Sequence, residues 1–192
     1  MRKVVNFIFI ITLSLFSAQV KSQGYYGIKL GPNISTIGNV PDAQPRISFH
    51  TGVFGFILLT DRLAIQPELL YSQKGYVIRD FPDLKYKYSY VMVNFLFKMD
   101  IAENTQAIIG PVLGGNLSAK FVDTINNTSE DVPLRFFDAG LSLGLSQTIH
   151  PLVFIEGKLN FSLSNIVPNV SPILQRYNNR VAQVSLGIRL KK

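Results

Sequence analysis

The stretch QPELLYSQKG, residues 66–75, decides how the rest of the chain is read. With its flanks it places Leu63, Ile65, Pro67, Leu69 and Tyr71 on one side of an extended backbone. Ala64, Gln66, Glu68, Leu70, Ser72 and Lys74 fall on the other side. A strand has a side-chain period of two, so one face is apolar and the other carries charges among small and polar residues. A soluble sheet exposes such charges to water. A strand in a membrane barrel turns them inward.

Seven further segments alternate in the same way. They lie at about 25–36, 46–59, 86–99, 106–120, 135–148, 152–166 and 179–191, with the opening stretch extended to 63–78. The segment at 135–148 is the cleanest, setting Phe137, Ala139, Leu141, Leu143 and Leu145 against Asp138, Gly140, Ser142, Gly144 and Ser146. The segment at 46–59 is apolar on both faces, with Phe49, Val53 and Ile57 opposing Phe54, Phe56 and Leu58. Connections rich in Pro, Asn and Asp are expected to be long at 37–45, 79–85, 121–134 and 167–178, and short at 60–62, 100–105 and 149–151. Short turns alternating with longer loops are the rhythm of an outer-membrane barrel, and an even strand count returns both termini to the periplasm. The predicted fold is therefore all-β: an eight-stranded antiparallel up-and-down transmembrane barrel with a filled polar interior.

A soluble eight-stranded barrel with an apolar cavity is the alternative. Against it stands the set Lys29, Glu68, Lys74, Lys98, Asp138, Glu156, Lys158 and Arg189, all on the less apolar face of their strands. On a lipid-facing surface an Arg or Lys costs roughly 2–4 kcal/mol at the midplane. Inside a narrow barrel the same groups can pair. Tyr25, Tyr26, Tyr71, Tyr76, Tyr86, Tyr88, Phe136, Phe137 and Tyr177 lie near the expected strand ends, where aromatic girdles form at membrane interfaces.

Composition agrees. The 192 residues are 47% apolar and only 16% charged, against about 25% charged in soluble domains. Mean hydropathy is +0.22. Beyond the N-terminus no apolar run approaches the roughly 20 residues of a spanning helix. Residues 1–22 read as a secretory signal: Arg2 and Lys3, then the apolar run FIFIITLSLF at 7–16, then small residues. Cleavage is expected after Ser22, with Ala18 as the alternative, leaving residues 23–192 as the barrel domain. Losing Arg2, Lys3 and Lys21 lowers the formal charge from +7 by three, to +4. That excess is small and dispersed, so a nucleic-acid partner is not expected. Outer-membrane lipid is, with other envelope or secretion-system proteins as further partners.

No cofactor is expected. Two histidines and no cysteine make a metal site unfavourable. Ser48 and His50 share a face, as a lipid hydrolase would need, but two residues on one strand do not make a triad. Gly110-Pro111 with Gly114-Gly115 lacks phosphate-loop spacing and suits a bend or close packing. The interior charges admit two readings: a paired network that makes a filled lumen tolerable, or an ion or proton path.

The series GIKLGPNIST, IQPELLYSQKG, YVMVNFLFKM, GPVLGGNLSAK, FFDAGLSLGL, LNFSLSNI and NRVAQVSLGIRL resembles the PorT-like outer-membrane β-barrel family of Bacteroidetes-type bacteria. The resemblance spans essentially the whole mature chain, and QPELLYSQKG and NRVAQVSLGIR are its most specific pieces. It implies an eight-stranded barrel linked to protein secretion, and it brings no catalytic residues. This chain departs from the family pattern in having Met92 and Asn94 where a Glu and a Pro are common. Its end, Leu190-Lys191-Lys192, also lacks the usual final aromatic residue. The function expected is structural, interactive or secretion-accessory rather than enzymatic. Narrow-pore transport of small solutes or ions is the alternative, with a membrane-embedded lipid-modifying hydrolase behind it.

Overall fold

The computed structural model describes residues 24–168 and 177–190. The expected signal segment and its cleavage site lie outside the described residues. Among the described residues nine strands are present: β1 (Gly24–Ile37), β2 (Ala43–Thr60), β3 (Leu63–Ile78), β4 (Phe81–Ala102), β5 (Thr105–Asp123), β6 (Thr128–Asp131), β7 (Phe137–His150), β8 (Val153–Ser162) and β9 (Asn179–Arg189). Eight of them close a ring, each antiparallel to its sequence neighbour, with β5 joined to β7 and β1 to β9. The short β6 pairs only with β5, outside the ring.

Alternation sets the two faces everywhere. Inward residues are buried, whereas Ile28, Leu30, Val53, Leu69, Val93, Phe95, Ile109, Leu143, Leu159 and Leu186 point outward into a continuous apolar belt. The ambiguous second segment resolves into Phe54 and Phe56 inside and Phe49 and Val53 outside.

At one end β2–β3, β4–β5 and β7–β8 turn within two residues, at 61–62, 103–104 and 151–152. Asn104 takes a positive φ of 60° there, which an Asn tolerates at small cost. At the other end four long connections are expected; the one at 167–178 lies mostly outside the described residues, and among the other three the expectation fails in one place. The connection foreseen at 79–85 is the two-residue turn 79–80, because β4 begins at Phe81. Alternation continues upward through Lys85, Tyr86, Lys87 and Tyr88, and Pro82 sits near the strand's tip, where no ladder needs its missing N–H. The foreseen connection 121–134 likewise contains β6. One side of the barrel therefore rises as a tall sheet of β3, β4, β5 and β6. The seventh expected segment ends at Ser162 rather than 166, and the sixth starts at Phe137 rather than 135.

Three prolines mark how the wall bends. Pro32, Pro67 and Pro111 each stay in register with one neighbour, while the ladder on the other side lapses for two rungs. A proline cannot donate to a ladder, so each lapse lies on the side its N–H would have served. Two of the three follow an inward glycine. A Cβ on Gly31 would lie 1.9 Å from the Val184 carbonyl oxygen, and one on Gly110 would lie 2.0 Å from that of Phe95. Only glycine permits that approach of two backbones.

Candidate functional site

The chemistry of this chain lies in its lumen, which is filled in layers. Nearest the short turns, Tyr25 stacks on Phe56 at 4.5 Å, and Phe54 meets Phe154 edge-on at 5.2 Å. Glycines make room for these rings: a Cβ on Gly187 would lie 2.1 Å from Phe154 Cζ, and one on Gly27 would lie 2.6 Å from Phe54 Cζ.

Above this aromatic layer lies the charge centre. Lys29 from β1 bridges the two carboxylates, at 2.5 Å from Glu68 Oε1 on β3 and in contact with Glu156 Oε2 on β8. Lys98 from β4 reaches Glu156 Oε1 at 2.5 Å, donates to Ser146 Oγ at 3.2 Å and lies over the Phe154 ring. Lys158 from β8 donates to Glu68 Oε2 at 2.9 Å. Gln66 Nε2 donates to both carboxylates, at 2.7 and 3.1 Å, and Asn94 Nδ2 donates to Glu68 Oε2 at 2.9 Å. All five charged side chains are at most 1% exposed. Three ammonium groups thus share two carboxylates in a sealed space. In such a space, removing one partner of a pair costs far more than the pair itself contributes.

A neutral polar layer follows. His50 Nδ1 bonds with Asn33 Oδ1 at 2.7 Å and Nε2 with Ser185 Oγ at 2.8 Å, while Gln183 Nε2 donates to Asn33 Oδ1 at 2.9 Å. Ser48 Oγ donates instead to the Gln73 carbonyl at 2.7 Å. Ser48 and His50 are therefore occupied separately, and among the described residues no acid bonds the imidazole.

Next comes a second ion pair, Lys74 Nζ to Asp138 Oδ2 at 3.1 Å, with Lys74 over the Tyr90 ring. Ser162 Oγ and Asn179 Nδ2 also donate to Asp138. The loop end closes with an apolar cluster of Ile37, Tyr76, Tyr88, Val112, Ala119 and Ile166, with Tyr86 and Tyr177 packed against it.

Of the eight charged residues singled out from sequence, the structure thus joins Lys29, Glu68, Lys98, Glu156 and Lys158 in one centre and Lys74 with Asp138 in another. Arg189 belongs to neither and meets no carboxylate among the described residues. Its guanidinium lies 4.8 Å from the Tyr25 ring centroid and 5.4 Å from that of Phe154, and it donates to the Pro151 carbonyl and Thr148 Oγ1. As the last residue of β9, it reaches the rim more readily than the centre. The aromatic expectation also divides. Tyr26, Phe136 and Phe137 face outward as girdle residues. Tyr25, Tyr76, Tyr86 and Tyr88 point inward and form the plugs, because strand parity decides the face whatever the residue's affinity for an interface. The His50–Asn33–Gln183 layer was not foreseen. Its only sequence signal is shared inward parity on β1, β2 and β9.

Residues 18–167 match the family model described as outer membrane protein beta-barrel domain. Among solved structures, the chain is similar to Neisserial surface protein A (NspA), with a TM-score of 0.61 and 11% identity over 86% of this chain and 97% of that one. It is also similar to Ail, the attachment invasion locus protein of Yersinia pestis, with a TM-score of 0.53 and 15% identity over 87% of this chain and 99% of that one. At those identities the likeness shows the fold. Comparison with curated proteins returns no match. The match covers most of the chain and agrees with the closed ring and its apolar belt: the chain belongs to the outer membrane protein beta-barrel domain family and resides in the outer membrane.

Proposed function

We infer that the chain is a sealed outer-membrane barrel with a structural, interaction or secretion-accessory role and no catalytic activity. One observation carries this reading: the lumen is packed layer upon layer, from the Phe54–Phe154 contact through the charge centre to the tyrosine-rich plug. Eight strands leave an interior that side chains just fill. The charge centre turns its groups on one another and presents no open carboxylate or ammonium to a passing solute. Contact with partners then falls to the outer surface, above all the tall sheet of β3, β4, β5 and β6. Envelope or secretion-system proteins are the partner class, in keeping with the PorT-like resemblance of QPELLYSQKG and NRVAQVSLGIR.

Planar-bilayer recording on purified protein tests this reading against transport. The expected result is a silent bilayer, and stable unitary openings would overturn the sealed barrel. Cross-linking in the native envelope, followed by purification in mild detergent, should capture a defined envelope protein.

A further inference from the structure

The outward face of β4 changes character at one level. From the short-turn end it runs Met99, Phe97, Phe95, Val93 and Val91, then Ser89, Lys87 and Lys85. Met99 to Lys87 is about twelve residues, which at ~3.3 Å per residue and a tilt of about 40° climbs roughly 30 Å, just beyond an apolar belt of about 25 Å. Lys87 therefore stands at headgroup depth in the leaflet away from the short turns.

At that depth the sheet does something a soluble sheet avoids. Lys87 and Lys120 are register partners on β4 and β5, both exposed and both outward. Like charges directly opposite one another destabilise a sheet. On its other side Lys87 faces Gly75, and Lys85, one row above, lies between Val77 and Val122. Asp131 is in register with Lys120 but makes no ion pair with it, and none of the three lysines pairs with a carboxylate among the described residues. The residues outside the described set contain no Asp or Glu. Beside the lysines lies a shelf of hydroxyl and amide groups: Tyr71 Oη bonds with Ser89 Oγ at 3.0 Å, and Gln73 Nε2 donates to Tyr71 Oη at 3.2 Å.

We propose that Lys87 and Lys120, with Lys85 above them, bind the phosphate monoester of a phosphorylated glycolipid in the outer leaflet. A monoester carries about −1.5 to −2 charges near neutral pH, which suits two facing ammonium groups better than the single charge of a phospholipid diester. The sugar lies against the Tyr71–Gln73–Ser89 shelf, and the acyl chains follow Val91, Val93 and Leu113.

The test is lipid retention, read by native mass spectrometry, of the full mature chain released from phosphatidylcholine nanodiscs. Separate nanodiscs are doped with lipid A, with dephosphorylated lipid A or with phosphatidylglycerol. Selective retention of lipid A is expected, with K87Q/K120Q lowering it at least about tenfold. R62Q, at the opposite rim, should leave it unchanged. Equal retention of the dephosphorylated lipid or of phosphatidylglycerol would overturn the assignment, as would a K87Q/K120Q chain that migrates as a folded barrel yet retains lipid A like the parent.

Discussion

Among the described residues Glu156 meets three ammonium groups, where Glu68 meets two. Glu156 is within reach of Lys29, Lys98 and Lys158, drawn from three different strands. Glu156→Gln keeps the shape and leaves ammonium groups without a counter-charge, for which about 3–5 kcal/mol is the usual cost. The temperature at which the folded, fast-migrating gel band disappears should fall clearly, whereas Ser146→Ala, which removes one neutral acceptor from Lys98, should lower it little. A second residue-scale prediction concerns volume. Gly187→Val drives carbon into the Phe154 ring and should destabilise by roughly 1–3 kcal/mol. Adding Phe154→Leu should recover much of the loss, and failure of that rescue would mean that Gly187 serves the backbone rather than the ring.

At the scale of elements, strand parity was legible wherever apolar and polar residues alternate strictly, as on β3 and β7. It was less legible on β2, because Phe54 and Phe56 obey the same alternation as their neighbours while filling the lumen with rings. The tall sheet was hidden by composition. Asp80, Pro82 and Asp83 read as loop residues, yet they sit at the crest of a hairpin whose ladder needs little from them. There Thr124 Oγ1 donates to Asp83 Oδ1 at 2.8 Å, tying the β3–β4 and β5–β6 crests together, while the Ile125 amide donates to Asp123 Oδ1 at 2.9 Å within the β5–β6 turn. An epitope inserted at Asn126 should be labelled by antibody on intact cells, and one at Glu103 only after permeabilisation. Labelling of the second on intact cells would invert the orientation.

For the whole molecule, the plugs and the charge centre obstruct the lumen independently. Phe54→Ala opens the aromatic layer at one end but leaves the five-residue centre above it in place, so its bilayer recordings should stay silent like those of the parent. Openings from this single variant would show that the rings alone close the path. Closure of the ring, burial of charge and location in the outer membrane could all be read from the repeated alternation, because each is a property of the pattern. Which charges meet could not. Pairing depends on how far each strand is sheared against the next, and that is how Arg189 came to lie at the rim rather than in the centre.

The seam between β1 and β9 has a consequence for how such a barrel comes into being. Lys29 finds Glu156 across 127 residues of sequence, and their two strands become near neighbours only when the final strand docks between them. A sheet open at that seam would carry Lys29 into the bilayer separated from Glu156, at a cost that grows with depth. Insertion ahead of closure is thereby penalised by the chain's own lysines. The order of events favoured is a nearly completed cylinder entering the lipid, with the last-made strand acting as the step that commits it.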